Sequence, residues 1–303
     1  VVAARLQPDP LTSTDIMVGN IRVPLESDLS TPLAYFLNQS HLEAAATAGL
    51  LRPDLTEELA GLYMLQPYEP HKIPVIMVHG LWSSPLTWME MFNDLLGSPE
   101  LRERYQFWFY MYPTGQPFWI SAGQFRQDLA EMRKTFDPQA TTPALDQMVL
   151  VGHSMGGLVS KLQIVSSGNQ YWDAVATEPF QLVKAEKEVR DSLESTFFFD
   201  ANPSVRRLIT IATPHRGSRF ANSATQWLGR KLITLPEMMV SGREKLLVDN
   251  PGLFRDASFH KTKTSLDSLS PESPLLPVLL ENPLPPWVKH HNSVGVLDYD
   301  GHP

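Results

Sequence analysis

The chain has 303 residues, 43% of them hydrophobic and 19% charged, with a formal net charge of −8. That is enough for a sizeable core in one large domain or two small ones, and the acidic balance argues against a nucleic-acid groove or an anionic membrane as the main partner. With no cysteine, disulfides and thiolate metal sites are excluded, and no apolar run approaches the ~18 residues of a membrane span.

Residues 1–70 are punctuated by Pro8, Pro10, Pro24, Pro32, Pro53 and Pro67. They read as an N-terminal extension packed on the core, in which only residues 42–50, Ala-rich and ending near Gly49, carry a helix pattern. Strand and helix signals alternate from Ile73 onward. Residues 73–78 are an apolar run without alternation, as expected of a parallel strand buried on both faces. Ser84 and Pro85 read as an N-cap and first helical residue, and Trp88, Met91, Phe92, Leu95 and Leu96 recur at helical spacing up to a stop at Gly97.

Residues 106–112 form an aromatic strand, Phe125, Leu129, Met132 and Phe136 mark a helix, and residues 148–151 are a further buried strand. Strands are also expected at 205–212 and 291–297. This alternation implies right-handed crossovers and a mainly parallel sheet covered by helices on both faces, with ligands beyond the carboxyl ends of the strands. Two stretches, 168–204 and 217–290, exceed a simple crossover. The second is rich in apolar residues and proline (Trp227, Met238, Met239, Leu246, Phe254, then 274–280), and forms either a cap over the site or extra helices on the core.

The chemistry concentrates in Gly152-His153-Ser154-Met155-Gly156, between the strand at 148–151 and the helical pattern of 157–162. A Gly-x-Ser-x-Gly at a strand-to-helix junction forces the serine into a strained, outward position, and the helix behind it directs free N–H groups at a developing oxyanion. Ser154 is the candidate nucleophile. The loop His79-Gly80-Leu81-Trp82 follows the first buried strand, and the amides of Leu81 and Met155 are the candidate oxyanion donors. His79, directly before that loop, is expected to hold it by hydrogen bonds and not to act as a base.

With Val75-Ile76-Met77-Val78-His79-Gly80-Leu81, Gly152-His153-Ser154-Met155-Gly156-Gly157 and Ile211-Ala212-Thr213-Pro214-His215-Arg216-Gly217-Ser218 in this order, the chain resembles the α/β-hydrolase superfamily from about residue 70 to its end. It is similar to the bacterial serine esterase and lipase branch, near the inositol-deacylase-like lipases. The resemblance implies an α/β-hydrolase domain over 71–303, with insertions at 168–204 and 217–290, and a Ser-acid-His triad in that chain order. The acid is implied after the last strand, where Asp298 and Asp300 both stand; the loop after the preceding strand has no carboxylate.

The implied histidine follows one more strand and precedes a final helix. The chain ends at Pro303, and His302 alone of the nine histidines follows the acid. The expectation is that the last strand and helix, with the catalytic histidine, are cleaved, disordered or part of another polypeptide.

The implied activity is hydrolysis of lipid-like or other apolar carboxylic esters. An imidazole would deprotonate Ser154, a carboxylate would orient that imidazole, and an acyl-enzyme would be resolved by water, with no cofactor or metal. The partner is a small ester substrate. Neither nucleic acid nor a transmembrane segment is expected, and the resemblance implies an exported or lipid-anchored bacterial protein. An amidase or acyltransferase on the same triad, and a non-catalytic scaffold keeping the elbow without the base, are the alternatives.

Overall fold

The computed structural model describes residues 15–24, 47–48, 50–52, 59–218, 245–255 and 264–296. Most of the helix pattern at 42–50, much of the 217–290 excursion, and Asp298, Asp300 and His302 lie outside the described residues. Strands β1 (Asp15–Val18) and β2 (Ile21–Pro24) form an antiparallel hairpin. Gly19, at φ 62°, supplies the first position of its two-residue turn.

The central sheet has six strands: β3 (Gly61–Met64), β4 (Ile73–Val78), β5 (Tyr105–Met111), β6 (Met148–His153), β7 (Val205–Ile211) and β8 (Lys289–Ser293), in the order β3-β5-β4-β6-β7-β8. Every neighbour pair is parallel except β3 with β5. β3 falls inside the stretch read from sequence as an extension, and only its pairing with Trp108–Met111 reveals it as a sheet edge. β8 is offset from the expected 291–297. Its polar Lys-His-His-Asn-Ser text carries no apolar signal, and at the sheet edge its side chains remain mostly exposed.

Two-sided burial is visible residue by residue. Val75, Met77, Phe107 and Phe109 pack on one face with Trp88, Met89, Phe92 and Leu96. Ile76, Val78, Trp108 and Tyr110 point the other way, against Phe125, Leu129 and Leu158. The period-2 geometry of a strand sends successive apolar residues to opposite cores, which explains why β4 and β5 lack alternation.

The helices follow the expected apolar spacing. Ser84 accepts from the Leu86 amide and caps a 3-10 turn, Pro85–Trp88, that leads into α1 (Met89–Gly97) and then α2 (Pro99–Arg104). α3 (Phe118–Phe136) buries Phe125, Leu129 and Met132 along one stripe, with Phe136 packed at its end. α4 (Met155–Lys161) follows β6 and is buried at all its positions.

Beyond α4, α5 (Gln170–Val175) and α6 (Lys187–Phe197) fill the first excursion. Trp172 is surrounded there by Phe180, Phe197, Phe198 and Phe254. The described part of the second excursion contains α7 (Ser265–Ser268), with a Thr264–Asp267 capping box, and α8 (Leu275–Glu281). Leu253, Phe254, Leu269, Leu275, Leu276 and Leu279 join the larger core, so these parts of both excursions pack on the sheet's helices.

Phe125 is fully buried and stacks on Tyr110 with ring centroids 4.2 Å apart. Its truncation in Phe125→Ala is expected to cost about 3–5 kcal/mol, read as a fall in the urea midpoint with an unchanged slope.

Candidate active site

The end of β6 meets the start of α4 in a turn that brings backbones unusually close. A Cβ on Gly152 would lie 2.5 Å from Cα of Gly157, and one on Gly156 would lie 2.3 Å from the carbonyl oxygens of both Val78 and His79. Any side chain at either position must displace main chain. Ser154, between them, has φ 52° and ψ −123°, a conformation that costs a non-glycine residue about 1–3 kcal/mol. Its amide donates to the Ile211 carbonyl at 2.9 Å, and its carbonyl accepts from Gly157 at 3.0 Å, so hydrogen bonds from β7 and α4 hold the strained residue.

Two other strand ends show the same strain. Trp82, just past β4, has φ 52°, and Ala212, just past β7, has φ 49°. Three of the four non-glycine positive-φ residues among those described therefore stand at the carboxyl ends of β4, β6 and β7. The sequence did not mark Trp82 or Ala212 as strained, because nothing in a tryptophan or an alanine announces a left-handed backbone.

The loop after β4 rests against the elbow. A Cβ on Gly80 would lie 2.9 Å from Cβ of Ser154, so glycine is what permits this approach. The Tyr112 hydroxyl donates to the His79 carbonyl at 2.8 Å, and the Trp82 amide donates to Thr114 Oγ1 at 3.3 Å. Leu81 stands between these anchored points. Met155 is the first residue of α4, where an amide has no acceptor within the helix. Leu81 and Met155 are the two candidate oxyanion donors.

His79 is fully buried and stacked on Tyr112 at 4.6 Å. Its Nδ1 lies 3.0 Å from the Gly80 carbonyl, which can only accept, so Nδ1 carries the proton. Burial pushes its pKa down to about 4, opposed by the bond to Gly80 and reinforced by His153. The neutral ring is thus bonded to its own loop. His153 packs edge-on to Trp88 at 6.4 Å, and burial lowers its pKa as well.

On the third side, Thr213 packs so tightly on α4 that a Cβ on Gly157 would fall 1.9 Å from Thr213 Oγ1. His215 follows in the same loop, with its ring 5.8 Å from that of His290 on β8. Asp298, Asp300 and His302 lie outside the described residues, so the candidate acid and base have no geometry here. Among the described residues, no group of three His, Asp or Glu side chains stands where it could hold a metal ion, and no helix is long and apolar enough to cross a membrane.

A family model described as the alpha/beta hydrolase family matches residues 75–297. No curated protein sequence matches the chain. Among solved structures, the chain is similar to the Bacillus licheniformis lipase BlEst2 in its mature form, at 19% identity and TM-score 0.34, over 77% of this chain and 89% of that one. The propeptide form of that lipase matches at 20% identity and TM-score 0.33, over 63% of this chain but only 36% of the other. A Paleococcus ferrophilus monoacylglycerol lipase matches at 14% identity and TM-score 0.40, over 80% of each chain.

The buried imidazole of His79 makes a signed prediction. An unfolded histidine titrates near 6.5 and the folded one at about 4. Between these values the unfolded chain binds more protons, so this contribution is fully present above pH 6.5 and is lost as pH falls toward 4. Denaturant titrations across that window should show a His79-dependent decline on the order of 3 kcal/mol, and the NMR midpoint of its ring should be about 4. Tyr112→Phe, which leaves the buried His79 carbonyl unpaired, should cost about 1–3 kcal/mol by the same titration at neutral pH.

Proposed function

The chain belongs to the alpha/beta hydrolase family, and on that premise we propose that it is a serine hydrolase cleaving carboxylic esters with apolar acyl groups. The observation that carries this reading is Ser154, held at φ 52° between β6 and α4 with the Gly80 loop against its Cβ. A family of hydrolases does not by itself specify an ester.

In this reading Ser154 Oγ attacks the ester carbonyl as an imidazole takes its proton, and the amides of Leu81 and Met155 donate to the oxyanion of the tetrahedral intermediate. The intermediate collapses to an acyl-enzyme by expelling the alcohol, and water then attacks the acyl carbonyl to release the acid. Asp298 or Asp300 is the proposed acid. His302 follows both in sequence and is the proposed base when the chain itself supplies one. No metal or redox group enters these steps.

Support for an apolar substrate comes from the rim of the site. Trp82 follows the Leu81 amide directly and is 63% exposed. An indole left open to water two residues after Gly80 offers an acyl chain a surface to cover.

A fluorophosphonate probe should label the wild type at Ser154, and Ser154→Ala should abolish both labelling and hydrolysis of p-nitrophenyl butyrate. Ser154→Gly should be equally inactive yet more stable by about 1 kcal/mol, because glycine adopts this backbone without strain. A wild type that turns over esters while Ser154→Ala retains the rate would overturn the assignment.

A further inference from the structure

The Leu81 amide can serve an oxyanion only if the peptide that carries it is held in one orientation. A trans peptide points its carbonyl and its N–H in opposite directions, and the N–H of Leu81 shares a peptide with the carbonyl of Gly80. His79 Nδ1 donates to that carbonyl at 3.0 Å. The Leu81 N–H is therefore turned away from the His79 ring, in the loop whose Gly80 stands against Ser154.

A bond on one side of a residue does not fix a loop. On the other side of Leu81 the chain enters Trp82 at φ 52°, a left-handed backbone that a bulky residue keeps only where its surroundings hold it. Two threonines do so. The Trp82 amide donates to Thr114 Oγ1 at 3.3 Å, and its indole N–H donates to Thr47 Oγ1 at 3.3 Å. The second bond restrains the ring, and the first restrains the main chain next to Leu81.

Thr114 is itself fixed, at 1% exposed. The carbonyl of the next residue, Gly115, accepts from the Ser265 amide at 2.9 Å, and the Phe118 amide donates to Ser268 Oγ at 3.3 Å. α7, closed by its Thr264–Asp267 capping box, thus backs the segment beyond β5. From that same segment Tyr112 stacks on the His79 ring and donates to its carbonyl. Residues 112–118 therefore meet the loop on both sides of Leu81, at His79 and at Trp82.

We propose that Thr114 is a positioning residue for the Leu81 amide, its hydroxyl keeping the oxyanion loop preformed before an ester arrives. The proposal rests on the hydrolase reading, in which Ser154 attacks and Leu81 donates. Thr114 acts through Trp82 and needs no contact with substrate. A donor displaced by about 1 Å loses on the order of 100-fold in the chemical step, while the ground-state ester, which draws little on that donor, binds as before.

The test compares the wild type with Thr114→Val, which exchanges the hydroxyl for a methyl, and Thr114→Ser, which keeps the acceptor. With p-nitrophenyl butyrate, Thr114→Val should lower kcat about 10–100-fold and leave KM within about twofold. Inhibition by an alkyl trifluoromethyl ketone should weaken by the same factor as kcat. Addition of Ser154 Oγ to that ketone gives a hemiketal whose oxyanion calls on the Leu81 amide as the transition state does. Thr114→Ser should recover kcat to within about threefold of the wild type.

A kcat in Thr114→Val within about twofold of the wild type overturns the proposal, as does a loss confined to KM or an equal loss in Thr114→Ser. Should Thr114→Val fail to fold, hydrogen exchange of the Trp82 amide in the wild type decides. Protection of about 100-fold or more over an unstructured peptide supports the bond to Thr114, and less overturns it. A Ser154→Ala protein that keeps the ester rate would remove the hydrolase reading itself, whereas serine-dependent turnover untouched by Thr114→Val removes the role of Thr114 alone.

Discussion

Everything at the candidate site depends on one close approach: α4 packs its first turn directly on the backbone of β4 and β6. The carbonyls of Val78 and His79 occupy the space that a Cβ on Gly156 would need, and Gly157 faces Gly152 in the same way. With no room to spread, the chain can pass from strand to helix only through a left-handed residue, and Ser154 occupies that position at φ 52°. The strain is sustained because Ile211 and Gly157 hold Ser154 by its amide and its carbonyl. A turn this tight on a surface without β7 beside it would relax.

The two-sided core makes that approach possible. β4 and β5 send alternate residues into separate clusters, so neither strand can slide without exchanging large buried side chains between them. Phe125, Leu129 and Met132 press α3 onto one face, and Phe92 and Leu96 press α1 onto the other. The loop from His79 to Trp82 therefore leaves a fixed strand end, and it accepts from Tyr112 and donates to Thr114 in the segment just beyond β5. Strain at Trp82, Ser154 and Ala212 is shared among three adjacent strand ends and braced by a sheet that cannot shear.

How much of this the sequence discloses depends on whether a feature rests on composition or on pairing. The apolar runs at 73–78 and 148–151 and the stripe from Phe125 to Met132 are written in side-chain type, and the strands and helix form where that pattern puts them. Gly152, Gly156 and Gly80 are legible because steric exclusion leaves glycine no substitute. β3 and β8 are less so. Gly61–Met64 is a strand because β5 offers an edge, and Lys289–Ser293 is one because β7 does, with few buried apolar residues in either. The meeting of His215 with His290 was equally silent, since they come from the loop after β7 and from β8 and are joined only by the fold.

The length of α4 bears on the elbow itself. α4 is short, and a helix of two turns has little stability of its own, so its position is set by what it packs against. At its N-terminal end the contacts are steric: Gly156 on β4, Gly157 on Thr213. At its C-terminal end Lys161 is buried like the rest of the helix. The angle at which Met155 meets Ser154 is therefore set by main-chain and Thr213 contacts that a side chain on Gly156 or Gly157 would break.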